Sequence, residues 1–155
     1  MAALRRIQKE LINFEEEEHD EAFTAGPVDE SDLYKWEASI AGPENSPYEG
    51  GIFYFSIEFP KNYPLGRPKV FSKTKIYHPN IRQDTGCFIL DILKEWRPEI
   101  KVIDILKAIQ NLLINPNIDH FLEREVVKQY KEDKAAFDAT AKQWTKEYAQ
   151  YNNFI

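Results

Sequence analysis

The residues best suited to chemistry lie in one polar loop, around the only cysteine of the chain. Cys87 follows Asp84, Thr85 and Gly86, which are turn-forming residue types, and Asn80 lies seven positions before it. A thiolate is an effective nucleophile in acyl transfer, and an amide N–H held nearby can donate a hydrogen bond to the oxyanion that forms when an amine attacks. The pairing of Cys87 with Asn80 therefore predicts acyl transfer through a thioester.

His78, two residues before Asn80, has the side chain of a possible general base, because a free imidazole titrates near neutrality. Pro79 follows it and restricts the backbone, so we expect His78 to hydrogen-bond the backbone and shape the loop instead. No group of Cys, His or acidic residues recurs at metal-ligand spacing, and no glycine-rich phosphate motif is present. We therefore expect no cofactor: neither a metal nor a bound nucleotide.

Several strands must position this loop. Apolar residues alternate with others over residues 33–40 and 53–59, which predicts two strands with one buried face each, and a short strand starts at Val70. The Gly- and Pro-containing segment between the first two predicts a hairpin connection. These patterns predict an antiparallel meander in an α+β fold.

Helical patterns flank the strands. At the start of the chain, apolar residues recur at spacings of 3, 4 and 3, namely Leu4, Ile7, Leu11 and Phe14, with Arg5, Arg6 and Lys9 away from this stripe. A strongly apolar pattern over residues 102–113 predicts a core helix. Near the end, a stripe with spacings of 4, 3, 4 and 3 predicts a last helix packed on the core; it consists of Phe137, Ala141, Trp144, Tyr148 and Tyr151.

Length and composition narrow the class of protein. A chain of 155 residues with 43% apolar residues predicts a single domain, residues 1–155. One cysteine excludes an internal disulfide and favours a reducing compartment, so we expect the cytoplasm, the nucleus or both. No apolar run is long enough to cross a membrane, and the net charge of −6 argues against general nucleic-acid binding.

The order of motifs along the chain resembles the ubiquitin-conjugating enzyme family. The likeness centres on the His-Pro-Asn tripeptide at 78–80, the cysteine after it, the Leu-Asp-Ile-Leu string at 90–93 and Trp96. It extends over nearly the whole chain, through residues 4–11, 25–27, Trp36, 42–51, 59–64, 68–70 and 144–148. The resemblance implies the ubiquitin-conjugating fold, an antiparallel four-stranded meander flanked by an N-terminal helix and C-terminal helices.

One position departs from the family pattern. The catalytic cysteine of the family directly precedes the Leu-Asp-Ile-Leu string, where this chain has Ile89, and Cys87 lies two residues earlier. In an extended segment the two side chains would face the same side, about 7 Å apart at about 3.3 Å per residue. Two interpretations remain open: Cys87 is a displaced but working nucleophile, or Ile89 has replaced the nucleophile and Cys87 is a small apolar residue.

The resemblance implies catalytic roles for five side chains. Cys87 would carry ubiquitin, or a ubiquitin-like modifier, as a thioester, and Asn80 would stabilise the oxyanion. Asp91, Asp119 and His120 would tune the attacking group, which is a substrate lysine or a ligase cysteine. His120 stands where an Asp is commoner, as in members that pass ubiquitin to ligases with their own cysteine, and simple packing of the loop is its alternative role.

The first helix is implied to contact the ubiquitin-activating enzyme, through Arg5, Arg6 and Lys9. A merely solvated face is the alternative for these three residues. ATP would be used by the activating enzyme and not by this chain. The resemblance also places Thr24 on the back surface that some relatives use to hold a second ubiquitin.

A ubiquitin ligase is implied to contact Leu65, Arg97 and Pro98. Leu65 lies in a loop rich in Pro and Gly, residues 61–68, where an exposed apolar tip requires an explanation. Ordinary loop packing is the alternative for Leu65. We expect Trp96 to act as a packing anchor rather than as a contact.

The competing function belongs to a different class. A catalytically silent relative would use the same fold to hold ubiquitin or to activate a true conjugating enzyme. Asn80 favours the enzyme, because a silent relative needs no oxyanion donor, whereas Ile89 favours the silent module. In either case we expect a monomer, and for the enzyme we expect protein substrates as further partners.

Overall fold

The computed structural model describes residues 2–16 and 21–150. In this part of the chain the order of elements is α1 (Ala2–Glu16), β1 (Phe23–Asp29), β2 (Asp32–Ala41), β3 (Ile52–Glu58), β4 (Lys69–Ser72), α2 (Asp91–Lys94), α3 (Val102–Ile114), α4 (Arg124–Glu132) and α5 (Lys134–Tyr148). The strands form one sheet in the order β1-β2-β3-β4, and all neighbours are antiparallel. The predicted α+β meander with flanking helices is confirmed.

The two strands predicted from alternating residues have the expected buried faces. Trp36, Ala38 and Ile40 on β2 are buried, and so are the alternate residues of β3 and its end, namely Phe53, Phe55, Ile57 and Phe59. Ala41 pairs with Ile52, so the intervening segment is the predicted hairpin connection. The apolar face of the sheet packs on α3, whose six predicted core residues are all buried: Val102, Ile105, Leu106, Ile109, Leu112 and Leu113.

β1 is a strand that residue alternation did not predict. It contains Gly26 and Pro27, residue types that weaken a strand pattern. β1 lies at the edge of the sheet, where a missing N–H is tolerated. Its register with β2 shifts between Pro27 and Asp29.

The buried face of α1 differs from the predicted stripe. The buried residues are Ala3, Ile7, Glu10 and Phe14, at spacings of 4, 3 and 4, whereas Leu4 and Leu11 are only half-buried. A carboxylate, Glu10, therefore occupies a core position. The hydrogen bonds that compensate its burial are described with the site.

The buried face of α5 is also rotated from the prediction. Phe137 and Ala141 are buried as expected, but the line continues through Thr145 and Ala149, and Tyr148 is 37% exposed. Trp144 is half-buried and packs edge-on against Tyr77, at 5.1 Å between ring centroids. Tyr151 lies outside the described residues.

Two helices were not predicted. α2 has only four residues, too few for a periodic pattern. α4 places Val126 and Val127 in the core, and two adjacent apolar residues among charged ones give a weak signal of helical period. No helix among the described residues is both long and apolar enough to cross a membrane.

Candidate active site

Cys87 lies on a short hairpin that begins at the His-Pro-Asn tripeptide. The Arg82 N–H donates to the carbonyl of Cys87 at 2.7 Å, and the Ile89 N–H donates to the carbonyl of Asn80 at 3.2 Å. Residues 83–86 form the turn between the two arms. The backbone of Cys87 is therefore fixed against the segment that carries Asn80.

Gly86 allows the turn to dock on the end of the sheet. Its φ is +78°, a conformation that L side chains rarely adopt, and a Cβ there would lie 2.0 Å from the carbonyl oxygen of Ser72. The Ser72 N–H donates to the carbonyl of Gly86 at 2.8 Å. The residue before Cys87 must therefore be glycine for this close approach.

The side chains of Cys87 and Ile89 flank an inward-pointing Phe88. The Phe88 ring packs edge-on against Phe55 at 5.8 Å between centroids, so its neighbours in an extended segment point to the opposite side. Cys87 is exposed, whereas Ile89 is half-buried. The exposed thiol does not fit the interpretation of Cys87 as a buried apolar residue.

Arg82, whose N–H donates to the carbonyl of Cys87, forms an ion pair within the turn. Arg82 pairs with Asp84, at 3.2 Å between Nε and Oδ1. The hydrogen bond and charge of Asp84 raise the pKa of Arg82, with smaller contributions from the negative charges of Glu123 and Cys87. The same hydrogen bond lowers the pKa of the Asp84 carboxyl. Arg82 and Asp84 are therefore paired with each other in the turn that leads to Cys87.

Asn80 is buried, and its amide holds a neighbouring loop. Its Nδ2 donates to the carbonyls of Asn117 at 2.8 Å and His120 at 2.6 Å, and its Oδ1 accepts from the Asn117 N–H at 2.8 Å. Both amide hydrogens are thus committed to the loop. In this geometry Asn80 positions the loop, and donation to an oxyanion requires that one of these hydrogen bonds be released.

The loop held by Asn80 carries Asp119 and His120, two of the residues predicted to tune the attacking group. The Asn117 Oδ1 accepts their N–H groups at 3.0 and 3.1 Å. Both side chains are exposed. The fold therefore brings Asp119 and His120 to the segment that also carries Asn80 and Cys87. Asn117, which sequence reasoning missed, is marked only by its place in an Asn-Pro-Asn turn.

His78 has the structural role predicted from its neighbours. Its Nδ1 accepts the Asn80 N–H at 3.0 Å, so the proton of the neutral ring is on Nε2 and is donated to the carbonyl of Leu112 at 2.7 Å. Burial lowers the pKa of His78 to about 4, although the Leu112 hydrogen bond opposes this shift. The His78 ring is therefore buried and neutral, and its two hydrogen bonds join residues 78–80 to α3.

A cleft of about 310 Å³ lies beside the Cys87 hairpin. It is lined by residues 89–92, by Ala108, Asn111 and Leu112 of α3, and by Asn115 and Asn117. Asp91 is exposed at the start of α2. Asp91 and Ile89 therefore both line the cleft.

The three basic residues on α1 are not equivalent. Arg5 and Lys9 are exposed. Arg6 donates to the carbonyl of Ile100 at 3.1 Å and lies over the ring of Tyr63, at 5.4 Å from the centroid. Arg6 is half-buried and ties α1 to the segment before α3. A contact of Arg5, Arg6 and Lys9 with an activating enzyme stays a prediction.

Glu10 contributes to the same contact between α1, Tyr63 and the start of α3. It accepts hydrogen bonds from the Tyr63 hydroxyl and from the Val102 N–H, the latter at 3.2 Å, and pairs with Arg6 at 3.8 Å. Burial raises the pKa of Glu10, and the hydrogen bond from Tyr63 and the charge of Arg6 oppose the shift. Sequence reasoning missed Glu10, because a Glu on an amphipathic helix ordinarily faces solvent.

The predicted ligase surface has an exposed apolar tip. Leu65 is 76% exposed. Trp96 is the expected packing anchor: its Nε1 donates to the carbonyl of Pro64 at 2.8 Å, which brings the Leu65 loop beside Arg97 and Pro98. Arg97 is exposed and Pro98 half-buried. Contact with a ligase stays a prediction.

Thr24 lies on the edge strand β1, where it pairs with Ser39 of β2. Its side chain is exposed, and the two hydroxyl groups are hydrogen-bonded to each other. Its contact with a second ubiquitin stays a prediction. In the described ranges, no group of three or more His, Cys, Asp or Glu side chains is arranged to hold a metal ion.

Known proteins are similar to this chain over most of its length. The family model described as ubiquitin-conjugating enzyme matches residues 6–145. A Dictyostelium discoideum protein named ubiquitin conjugating enzyme E2 B is 39% identical over 150 residues, which cover 97% of this chain and 100% of that protein.

Solved structures share the fold as well. A Plasmodium yoelii structure described as that of a ubiquitin conjugating enzyme is 41% identical, covers 97% of both chains and has a TM-score of 0.90. The E2 domain of a Toxoplasma gondii ubiquitin conjugating enzyme is 38% identical, covers 95% of this chain and 99% of that one, and has a TM-score of 0.87. With a family match over most of its length and relatives of this identity, the chain belongs to the ubiquitin-conjugating enzyme family.

Proposed function

We propose that this chain carries ubiquitin, or a ubiquitin-like modifier, as a thioester on Cys87. It then transfers the modifier to a lysine of a protein substrate or to a cysteine of a ligase. The observation that supports this most is the exposed thiol of Cys87 on a hairpin bonded to the Asn80 segment. A buried or remote sulfur would not be available to an incoming acyl group.

Two exchange steps make up the proposed reaction. In the first, the Cys87 sulfur attacks the modifier's C-terminal carbonyl carbon, which is held as a thioester on the activating enzyme. A new C–S bond forms, the old C–S bond breaks, and the thiol proton of Cys87 ends on the departing sulfur. In the second, a lysine amine attacks the same carbon, a C–N bond replaces the C–S bond, and the amine proton passes by way of Asp119, His120 or solvent to the Cys87 thiolate.

The surrounding side chains are assigned to the second step. Asp119 and His120 are exposed on the loop that Asn80 holds, and they receive a proton from the lysine or orient the lysine. Asp91 acts from the opposite side of the cleft. Asn80 holds the loop in the resting state and donates one N–H to the oxyanion when a carbonyl releases it.

The proposed partners follow from these steps. The activating enzyme supplies the modifier and uses the ATP, so this chain needs no cofactor of its own. The activating enzyme docks on α1 at Arg5, Arg6 and Lys9, and the ligase docks at Leu65, Arg97 and Pro98. The chain acts as a monomer in the cytoplasm, the nucleus or both, and Thr24 marks a back surface for a second ubiquitin.

A charging assay tests this proposal. The protein is incubated with activating enzyme, ubiquitin and ATP, and is run on a non-reducing gel with and without thiol, beside Cys87→Ala and Asn80→Ala. We expect a thiol-sensitive adduct that is lost in Cys87→Ala, whereas Asn80→Ala charges but discharges slowly onto lysine. Failure of the wild-type protein to charge with ubiquitin and with ubiquitin-like modifiers would overturn the enzyme proposal.

The alternative is a catalytically silent module that binds ubiquitin or regulates another conjugating enzyme. Ile89 supports it, because this residue holds the position that directly precedes the Leu-Asp-Ile-Leu string. A double variant, Cys87→Ala with Ile89→Cys, moves the thiol to that position. Charging by the double variant but not by the wild type would favour the silent module, and the reverse result would favour Cys87.

A further inference from the structure

Glu123 contacts the Cys87 hairpin through both its backbone and its side chain. Its Oε2 accepts a hydrogen bond from the Gln83 N–H at 3.0 Å, and its own N–H donates to the carbonyl of Pro79 at 3.1 Å. Pro79 directly precedes Asn80, and Gln83 begins the turn that leads to Cys87. Glu123 therefore fixes both ends of residues 79–83. The backbone of Cys87 is hydrogen-bonded to this segment.

Helix capping does not explain the orientation of the Glu123 side chain. Glu123 is the N-cap residue of α4, and an N-cap side chain ordinarily accepts a hydrogen bond from an N–H of its own helix. The Glu123 side chain makes no such hydrogen bond. It reaches instead to Gln83, 40 residues earlier in the chain.

The contact is partly shielded from solvent. Its distance of 3.0 Å is typical of an N–H···O hydrogen bond, and Glu123 is half-buried, which limits competition from water. The negative charge of Glu123 also contributes to the raised pKa of Arg82, after the larger effect of Asp84. Arg82 is the residue whose N–H holds the Cys87 carbonyl.

We propose that Glu123 is a positioning residue for the acyl exchange that loads Cys87. It accepts the Gln83 N–H and so holds the hairpin that presents the Cys87 thiol. This inference rests on the proposed function, since positioning matters to catalysis only when Cys87 carries the acyl group. Without the acceptor the turn can shift, and a shift of about 1 Å in a reacting group can lower a rate by about a hundredfold.

Three variants test the role of the acceptor. Glu123→Gln keeps a side-chain oxygen, Glu123→Ala removes it, and Glu125→Ala removes an exposed carboxylate from the first turn of the same helix. The measurement is the single-turnover rate of Cys87 loading at saturating activating enzyme, so that docking does not limit it. We expect Glu123→Ala to load between about tenfold and a hundredfold more slowly, and Glu123→Gln and Glu125→Ala to stay within about a factor of two of the wild type.

Hydrogen exchange of the Gln83 amide, followed by NMR, tests the contact without reference to catalysis. We expect the Gln83 N–H to be protected in the wild type and in Glu123→Gln, and to exchange faster in Glu123→Ala. Unchanged exchange, a loading rate of Glu123→Ala equal to the wild type, or equal losses in Glu123→Gln and Glu123→Ala would each overturn the inference alone. A wild type that does not load overturns the proposed function, and the positioning role falls with it.

Discussion

At the scale of single residues, the site depends on buried polar side chains that are hydrogen-bonded to other segments of the chain. His78 and Asn80 are both fully buried, and each joins two segments: His78 links the site loop to α3, and Asn80 links it to residues 117–120. Their burial is tolerated because each polar atom has a partner. The site is therefore held by the same residues that the sequence marks as chemical.

His78 provides a direct test of this environment. Because burial lowers its pKa to about 4, we expect the ring to stay neutral, protonated on Nε2, across the range in which a free histidine titrates. The folded state then lacks a proton that the unfolded state binds, so this contribution to stability is present above about pH 6.5 and is lost as the pH falls toward 4. NMR of the ring nitrogens checks this. A titration of His78 near pH 6.5 would contradict the buried geometry.

Asn80 makes a prediction about stability that is separate from catalysis. Asn80→Ala removes three partly buried hydrogen bonds, to the carbonyls of Asn117 and His120 and from the Asn117 N–H, so we expect the free energy of unfolding to fall by about 1 to 3 kcal/mol. Chemical denaturation measures it. The matched control is Asn115→Ala, whose exposed amide bonds another exposed side chain at 3.0 Å, and we expect a change within about 0.5 kcal/mol. Equal losses in both would refute the role of Asn80.

At the scale of elements, contacts between helices, loops and strands fix where the site lies. Glu10 joins α1 to the loop of Tyr63 and to the first residue of α3. Gly86 joins the Cys87 turn to the end of β4. Both contacts bring together elements that are far apart in the sequence. Each contact depends on one residue, so one substitution can break it.

Glu10 makes stability depend on pH in a defined direction. Desolvation raises its pKa above the ordinary 4.5, opposed by Tyr63, Arg6 and the Val102 N–H and reinforced by Asp104. The folded state therefore holds the proton more tightly than the unfolded state, so the contribution is present below about pH 4.5 and is lost as the pH rises through the folded pKa.

Glu10→Gln removes this titration while keeping a side-chain oxygen and the shape of the residue. We expect the unfolding free energy of the wild type, relative to that of Glu10→Gln, to fall as the pH rises from about 4.5 to 8. Urea denaturation across that range checks it. A difference that is constant with pH, or one that changes in the opposite direction, would contradict the raised pKa.

Gly86 can be tested against another glycine with positive φ. We expect Gly86→Ala to lower the free energy of unfolding by more than the roughly 1–2 kcal/mol of the backbone conformation alone, because the new Cβ would overlap the Ser72 carbonyl. Gly50 has a φ of +87°, with nothing within 4 Å of its ideal Cβ, so Gly50→Ala incurs only the conformational cost. Thermal or urea denaturation of both variants compares them, and equal losses would show that the close approach to Ser72 is unimportant.

At the scale of the whole molecule, the fold was predictable where residues repeat regularly. Alternation located β2 and β3, and helical period located α1, α3 and α5. β1 was not predicted because Gly26 and Pro27 weaken the strand pattern. α2 was too short to show a helical period. Helix faces were misjudged by one position where a polar residue, Glu10 or Thr145, is buried among apolar ones.

The residues of the candidate site could be picked out from the sequence, but their contacts could not. Cys87, Asn80 and His78 are marked by their types and spacing, but neither the hydrogen bonds of Asn80 nor the bond from Glu123 to Gln83 can be read from the sequence. These contacts join residues about 40 positions apart, and they depend on the packing of α3 and α4 around the loop. Sequence patterns describe single elements, whereas such contacts arise between elements.

The central proposal is that the acyl group is carried at position 87. The most direct measurement maps the attachment in a Cys87→Ser variant incubated with activating enzyme, ubiquitin and ATP, because an oxygen ester survives thiol and can be located by mass spectrometry of a protease digest. We predict a thiol-sensitive adduct on the wild type and a thiol-resistant adduct at residue 87 in Cys87→Ser. No adduct on the wild type, or adducts on lysines that persist unchanged in Cys87→Ala, would contradict the proposal.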